Sequence, residues 1–375
     1  MLLEKGKVPA IYKELHYTFN QTLFYSSNSK NNNPNPGTTN CIAFPSFLTP
    51  KFTNPNEYRI KKIKQKYLDG FGIIINDDIK EINQYLAQHF NKNSRSPILK
   101  KMRRLENCFN ISYKIFYGHI TKETYDNIMQ ITHAMLVRRF EQKSDSNFIL
   151  DNWQKYYHQF FPLINKKMAS LFVIYSNQEP IQISINYHHK KTFFAYIPAY
   201  NIDFSQFGLG NIAVYKQLEW CIKNGYNYLD MGNGDYDYKV RWCNYNYSTE
   251  THIYYNKKLG LAQLQANILF RKIQIINILK DIKHSNILSS VSSKKYENKR
   301  PYTIKNIDSS TLTLNKLTKL DIFDNIAHTS IKKPIYDFLY KQQDHINNIS
   351  VYQMDNEKNT FVIKGKTETI KVIIP

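Results

Sequence analysis

Cysteine, acidic side chains and long apolar runs are what this chain has least of. Its 375 residues hold four cysteines, Cys41, Cys108, Cys221 and Cys243. They are scattered without paired spacing, which excludes a disulfide framework or a cysteine zinc site and fits a reducing compartment. The opening MLLEKGKVPAIYKEL lacks an apolar core of signal-peptide length. No run is long enough to span a bilayer, so a soluble, cytoplasmic protein is expected. Asp and Glu number 30 against 51 Lys and Arg, for a formal charge of +21 and an isoelectric point near 9.5. Such an excess admits a nucleic-acid partner and equally a surface that draws in an anionic substrate or coenzyme. The basic residues are spread along the chain, with short clusters at 59–66 and 100–104, alongside much Lys, Asn, Ile and Tyr, as an AT-rich genome yields anywhere on a surface. The 14% aromatic content is open to the same two explanations, codon bias or stacking faces.

Familiar catalytic patterns are also missing. No Gly-Lys-Ser/Thr follows a glycine loop, no GxGxxG opens a helix, and no Ser-His-Asp or Cys-His arrangement stands out. His188 and His189 lie on a turn and lack partners at metal-ligand spacing, so no metal is expected.

What is present centres on residues 171–239. LFVIYS, IQISINYH and TFFAYIPAY read as three strands at 171–176, 181–188 and 192–200, joined by the turns NQEP and HKK. NIDFSQFGLG follows, then an apolar-periodic helix from about 211 to 224 with a left-handed stop at Gly225. A fourth strand, YNYLDMG, runs into NGDYDYK. Gly208 and Gly210 thus stand where a strand gives way to a helix N-terminus. Missing side chains there let backbone N–H groups approach an anion that the helix dipole favours; by themselves the two glycines equally make an ordinary strand-to-helix turn.

The rest of the chain supplies a frame. Residues 26–40 are a polar Pro/Asn/Gly loop, with the segment before it a strand or arm. Residues 67–76 read as a turn leading into a strand, 77–90 as a helix, 96–109 as a basic helix opened by Ser96 and Pro97, and 111–118 as a strand. Residues 121–142 form a long helix, and another surrounds Trp153. After a strand at 251–256 comes a helix over 259–283, open to packing on the sheet or lying on a membrane surface. A Ser/Lys linker and a small domain with a helix and closing strands complete the chain.

Antiparallel strands, Gly208-Leu209-Gly210, a helix, Gly225, a strand bearing Asp230, then Gly234-Asp235-x-x-Tyr238-Lys239 resemble the acyl-CoA N-acyltransferase (GNAT) superfamily. Within it the chain looks like the bacterial cellulose-biosynthesis acetyltransferase and FemX-like group; Arg139-Phe140 followed by Trp153 resembles the stretch that leads into that domain. The resemblance spans roughly residues 60–260. One position departs: the usual loop places Gln or Arg where this chain has Ser205, and Gln206 falls one residue late.

The resemblance implies an α+β fold with a mixed, largely antiparallel sheet flanked by helices. It divides the chain into an N-terminal arm (1–60), a degenerate first lobe (61–150), an acyl-CoA-binding lobe (151–285), a linker (286–300) and a small α+β domain (301–375). It implies transfer of an acyl group, most simply acetyl from acetyl-CoA, to an amine or hydroxyl of a sugar, polysaccharide or cell-envelope precursor. An aminoacyl-tRNA donor is the alternative within the group, and a catalytically silent basic binding module is the third reading.

A thioester is already activated, so the enzyme must chiefly position it, stabilise the oxyanion and accept a proton. Backbone contacts to coenzyme A fall to Phe207, Gly208, Leu209, Gly210 and Asn211. Asp235 is the candidate base or acceptor-orienting residue, or else a turn cap or partner of Lys239. Lys239 is a candidate for the oxyanion or a substrate phosphate, or an exposed surface lysine; Tyr238 is a candidate acid for the thiolate, or a core aromatic. Asp230, Arg138 or Arg139, and Trp153 are candidates for the acceptor cleft, each with packing or loop support as the competing role.

Overall fold

The structure, a computed structural model, describes residues 8–27, 39–141, 148–234, 237–290, 302–307, 317–321, 329–355 and 357–374. Two compact units interleave along the chain, one made of residues 1–74 and 228–296, the other of 75–227 and 297–375. Each has its own strands and core.

The first unit carries four antiparallel strands in the order Asn40–Pro45, Tyr245–Asn256, Tyr58–Ile74 and Tyr228–Asn233. A smaller sheet orders Leu23–Ser26, Tyr12–Tyr17 and Leu48–Phe52, so the segment before the polar loop is strand. The expected turn at 67–70 is instead the inside of a single 17-residue strand. Ser248 pairs with Asp69 while Glu250 pairs with Lys64, so a bulge absorbs the residues between, with Tyr67 at a φ of 58°. Asn277 spans the gap: its side-chain amide donates to Lys64 O (2.8 Å), and its Oδ1 accepts from Lys66 N (3.1 Å). Pairing on both edges and a helix side chain at the bulge outweigh the local turn preference of Leu-Asp-Gly. That helix, Gly260–Ser290, is longer than the 259–283 expected; it buries Ala262 and Ala266 against Ile253 and Tyr255, with Leu269, Phe270 and Ile273 beside them.

In the second unit, Thr192–Tyr200, Glu179–His189, Ala169–Ser176 and Ile111–Phe116 form an antiparallel meander in that order. The three strands expected at 171–200 are there, extended by up to two residues at an end. Helix Leu209–Lys223 packs on the strands Glu179–His189, Thr192–Tyr200 and Ala169–Ser176. It ends as the sequence directs, with Gly225 at a φ of 68° and Tyr226 N donating to Cys221 O. Two helix starts differ from expectation. The helix expected over 77–90 is confined to Ile82–His89, where a capping box of Glu81 and Gln84 closes its N-terminus. The basic helix begins earlier, at Lys92, because the Asn91 side chain accepts from Ser94 N; Pro97 then falls inside it.

The C-terminal sheet of this unit orders Thr303–Asn306, Thr369–Ile373, Glu357–Lys364, Ser350–Met354 and Leu317–Leu320, with helix Thr329–Gln342. Ile335, Phe338 and Leu339 of that helix share one core with Phe109, Phe204, Phe207, Leu209 and Ile212. The residues on both sides of the glycine turn are therefore core residues.

Candidate functional site

The strand Thr192–Tyr200 passes into a 3-10 helix, Ile202–Phe207, where the sequence suggests only loop. Its turn is fastened at one end by Asn201, whose Oδ1 accepts from Asp203 N (3.0 Å). Asp203 is buried, and its two carboxylate oxygens receive the fork of Arg138, Nη1 at 2.7 Å and Nη2 at 2.8 Å. A planar guanidinium fits a carboxylate in this way and an ammonium does not. Phe207 and Leu209 are fully or nearly fully buried on either side of Gly208, and burying each side chain stabilises the turn by about 1.5–3 kcal/mol. Gly208 sits at φ 70°, ψ 45°, the left-handed region that lets the chain reverse and begin helix Leu209–Lys223 at once.

The result is a helix N-terminus with little side chain in front of it. Gly208 O accepts from Asn211 N (3.0 Å) and Ile212 N (3.3 Å), the first closed turn. Gly210 is exposed, and a Cβ placed on it would meet nothing within 4 Å. A Cβ on Gly208 would lie 3.7 Å from the ammonium Nζ of Lys101. Lys101 belongs to the basic helix Lys92–Cys108. Its position could be suspected from the cluster at 100–104, but no pattern in the sequence says which of those cations reaches the glycine turn. Dipole, glycines and ammonium favour an anion at the same place.

Arg139 turns to the incoming strand, its guanidinium 4.8 Å from the Tyr200 ring centre and its Nη1 donating to Pro198 O at 3.4 Å. Trp153 is buried, 5.2 Å from the His133 ring. His188 is buried too, with Nδ1 2.7 Å from Tyr226 Oη and Nε2 2.8 Å from Ser170 Oγ; burial pushes its pKa down to about 3. Among the described residues no group of three His, Cys, Asp or Glu is placed to hold a metal ion.

The other candidates lie in the first unit. Asp235 falls outside the described residues. Helix Asp237–Trp242 carries Tyr238, half-buried, and Lys239, which is only 6% exposed. Lys239 Nζ donates to Asn233 O at 2.6 Å, pinning the end of the strand. Burial lowers its pKa, and the nearby charge of Asp230 works the other way. Asp230 is buried and its pKa is raised by burial to about 6, against the pull of the Tyr247 hydroxyl, the Gly232 amide and Lys239. Tyr247 Oη donates to Asp230 Oδ1 at 2.8 Å. Gly70 makes room for that ring, since a Cβ there would fall 2.1 Å from it. Lys239 is thus an interior group, which removes the exposed-surface alternative. The Asp230–Tyr247 bond has no signal in the sequence, because the two meet only through sheet register.

By sequence the chain matches none of the curated proteins. Residues 92–240 match the family model described as Acetyltransferase (GNAT) domain. Solved structures that resemble the chain include a conserved protein of unknown function from Bacteroides thetaiotaomicron, 11% identical with a TM-score of 0.39, over 53% of this chain and 63% of that one. The C-terminal domain of a putative lysylphosphatidylglycerol synthetase from Agrobacterium fabrum is 9% identical with a TM-score of 0.36, over 56% of this chain and 66% of that one. FemX is 12% identical with a TM-score of 0.40, over 56% of this chain and 69% of that one. The chain thus spans less than two thirds of the first two. The family match covers the basic helix, the antiparallel meander, the glycine turn and the strand with Asp230, and over those residues the chain is similar to a GNAT-type acetyltransferase domain.

Proposed function

We propose that the protein transfers an acyl group, acetyl in the simplest case, from acyl-CoA to an amine or hydroxyl of a sugar or cell-envelope precursor. The observation that carries this reading is the turn at Gly208, clamped by Arg138–Asp203 and by two buried anchors, with Lys101 beside an uncluttered helix start. A pyrophosphate fits that chemistry: its oxygens take backbone N–H groups and its charge takes the dipole and the ammonium. In this proposal Phe207 to Asn211 hold the coenzyme by backbone, with the side chains of Phe207 and Leu209 serving as anchors. Asp235 accepts the nucleophile's proton or orients the acceptor, and Tyr238 protonates the departing thiolate. In the first unit Lys239 stabilises developing negative charge beside Asp230; in the second, Arg139 and Trp153 are the acceptor-side candidates. An aminoacyl-tRNA donor is the second reading, favoured by the half-buried cations Lys101 and Arg104 on one face of the basic helix and by the charge of +21.

Thermal unfolding with acetyl-CoA, CoA or bulk tRNA tests the donor, beside a Gly210→Asp variant. That substitution has room and sets a carboxylate where a phosphate would lie. A ligand at a hundredfold its dissociation constant adds about 2.7 kcal/mol. The expected result is stabilisation by acetyl-CoA that Gly210→Asp removes. No shift with either coenzyme sinks the acyl-CoA reading, and a salt-sensitive shift with tRNA alone transfers the case to the second.

A further inference from the structure

Helix Gly260–Ser290 has two apolar faces, and the first unit uses one of them. Ala262, Ala266, Leu269, Phe270 and Ile273 turn to the sheet. On the far side Leu261 is 78% exposed, and Leu264, Ile268, Ile275, Ile278, Leu279 and Ile282 are each between 52% and 59% exposed. At about 100° per residue, Leu264, Ile268, Ile275 and Ile282 fall within a narrow stripe opposite the buried face. Single exposed aliphatics are ordinary, but a stripe running from 261 to 282 is not. Between Ile268 and Ile275 it opens into a shallow groove of about 460 Å³ that Arg271 and Lys272 also line.

Charge decides what covers this stripe. Arg271, Lys272 and Lys283 are exposed on the outer side, Lys280 turns to the sheet and donates to Lys66 O (3.2 Å), and the one acid in 260–283, Asp281, is engaged by Lys66 and Tyr67. Arg271 lies on the stripe itself, about 180° from Ala262. Against a second copy, two Arg271 side chains and two chains of +21 charge would be brought together. Against an anionic bilayer the same cations meet lipid phosphates, while their methylene stems lie along the apolar surface. No helix of the described residues is long and apolar enough to cross a membrane, and this one is already fixed to a sheet by its other face. We infer that the outer stripe of helix Gly260–Ser290 is a membrane-docking surface that lies in the interface of an anionic bilayer, with 261–282 in the headgroup–acyl boundary.

The test is sedimentation of the full chain with vesicles of phosphatidylcholine alone and with phosphatidylglycerol added. It compares the wild type, Ile268→Glu, Ile275→Glu and an Ile275→Trp reporter. Both isoleucines are exposed, so the fold tolerates the changes, and unchanged unfolding midpoints confirm it. Binding to the phosphatidylglycerol vesicles is expected, weakened by salt and reduced at least about tenfold by either glutamate. The reporter's added indole should show a blue-shifted emission on those vesicles. Binding that the glutamate variants retain would show attraction by the basic surface alone and overturn the stripe's role. A concentration-dependent dimer abolished by Ile275→Glu, without vesicle binding, would assign the stripe to a second copy; absence of both would also overturn the inference.

Discussion

The glycine turn and the segment from Asp230 to Lys239 both carry family-like residues, yet they use them in opposite ways. At the turn, the buried groups are apolar anchors and a clamped carboxylate, and the more open ones are bare backbone and a half-buried lysine. In the other segment two charged groups are inside: Lys239 is engaged by a backbone carbonyl, and Asp230 by a tyrosine hydroxyl. A residue in a motif can therefore carry the fold as well as a ligand, and burial marks where stability is at stake. A change at the open Gly210 should alter ligand response with little effect on stability. A change at Lys239 should cost stability first.

The largest effect is expected for Lys239→Met. It removes a cation whose charge acts on buried Asp230 and leaves Asn233 O without that donor, a loss of about 2–3 kcal/mol in denaturant unfolding. A variant as stable as wild type would show that Lys239 does not hold this segment and would erase the contrast. His188 gives the next effect, through pH. Its folded pKa of about 3 lies below the ordinary histidine value of 6.5, so the unfolded chain binds the proton more readily. Stability attributable to His188 is full above pH 6.5 and is lost as pH falls toward 3, by several kcal/mol at most, at about 1.4 kcal/mol per pH unit. His188→Gln should flatten that part of the stability–pH profile, and an unchanged profile would show that His188 protonates freely in the fold.

Arg138→Ala should cost about 2–3 kcal/mol, the value for a broken buried pair lowered because Arg138 is 42% exposed while Asp203 is 2% exposed. It should also weaken the acetyl-CoA response by loosening the turn, and Arg138→Lys should restore only part of either. The smallest effects sharpen the comparison within the turn. Gly208→Ala should destabilise by about 1–2 kcal/mol because its φ is positive. Gly210→Ala should stabilise by up to about 1 kcal/mol, since its site is helical and open. Equal effects at the two glycines would contradict the geometry assigned to the turn.

Much of this is legible in the sequence. Short apolar runs from 171 to 200, bounded by the turns NQEP and HKK, mark three strands because run length and turn residues are local signals. Gly225 after a periodic run marks a helix end for an equally local reason. The helix starts at Ile82 and Lys92 differ from expectation because Glu81–Gln84 and Asn91–Ser94 are capping choices among several local candidates. The unbroken strand through Leu68-Asp69-Gly70 is not legible at all. Its local signal is a turn, and what overrides it lies at Asn277, Ser248 and Glu250, far along the chain.

The sequence by itself determined the strand–turn–helix order, the bare backbone at Gly208 and Gly210 and the basic balance, because all are properties of composition and near neighbours. Only the tertiary structure decided that Lys101 is the cation at the turn, that Arg138 rather than Arg139 clamps Asp203, and that Lys239 is interior. It alone also decided that helix Gly260–Ser290 buries one apolar face and keeps another exposed. Those outcomes depend on which surfaces meet, and contacts between residues tens to hundreds of positions apart leave no periodic trace in either segment.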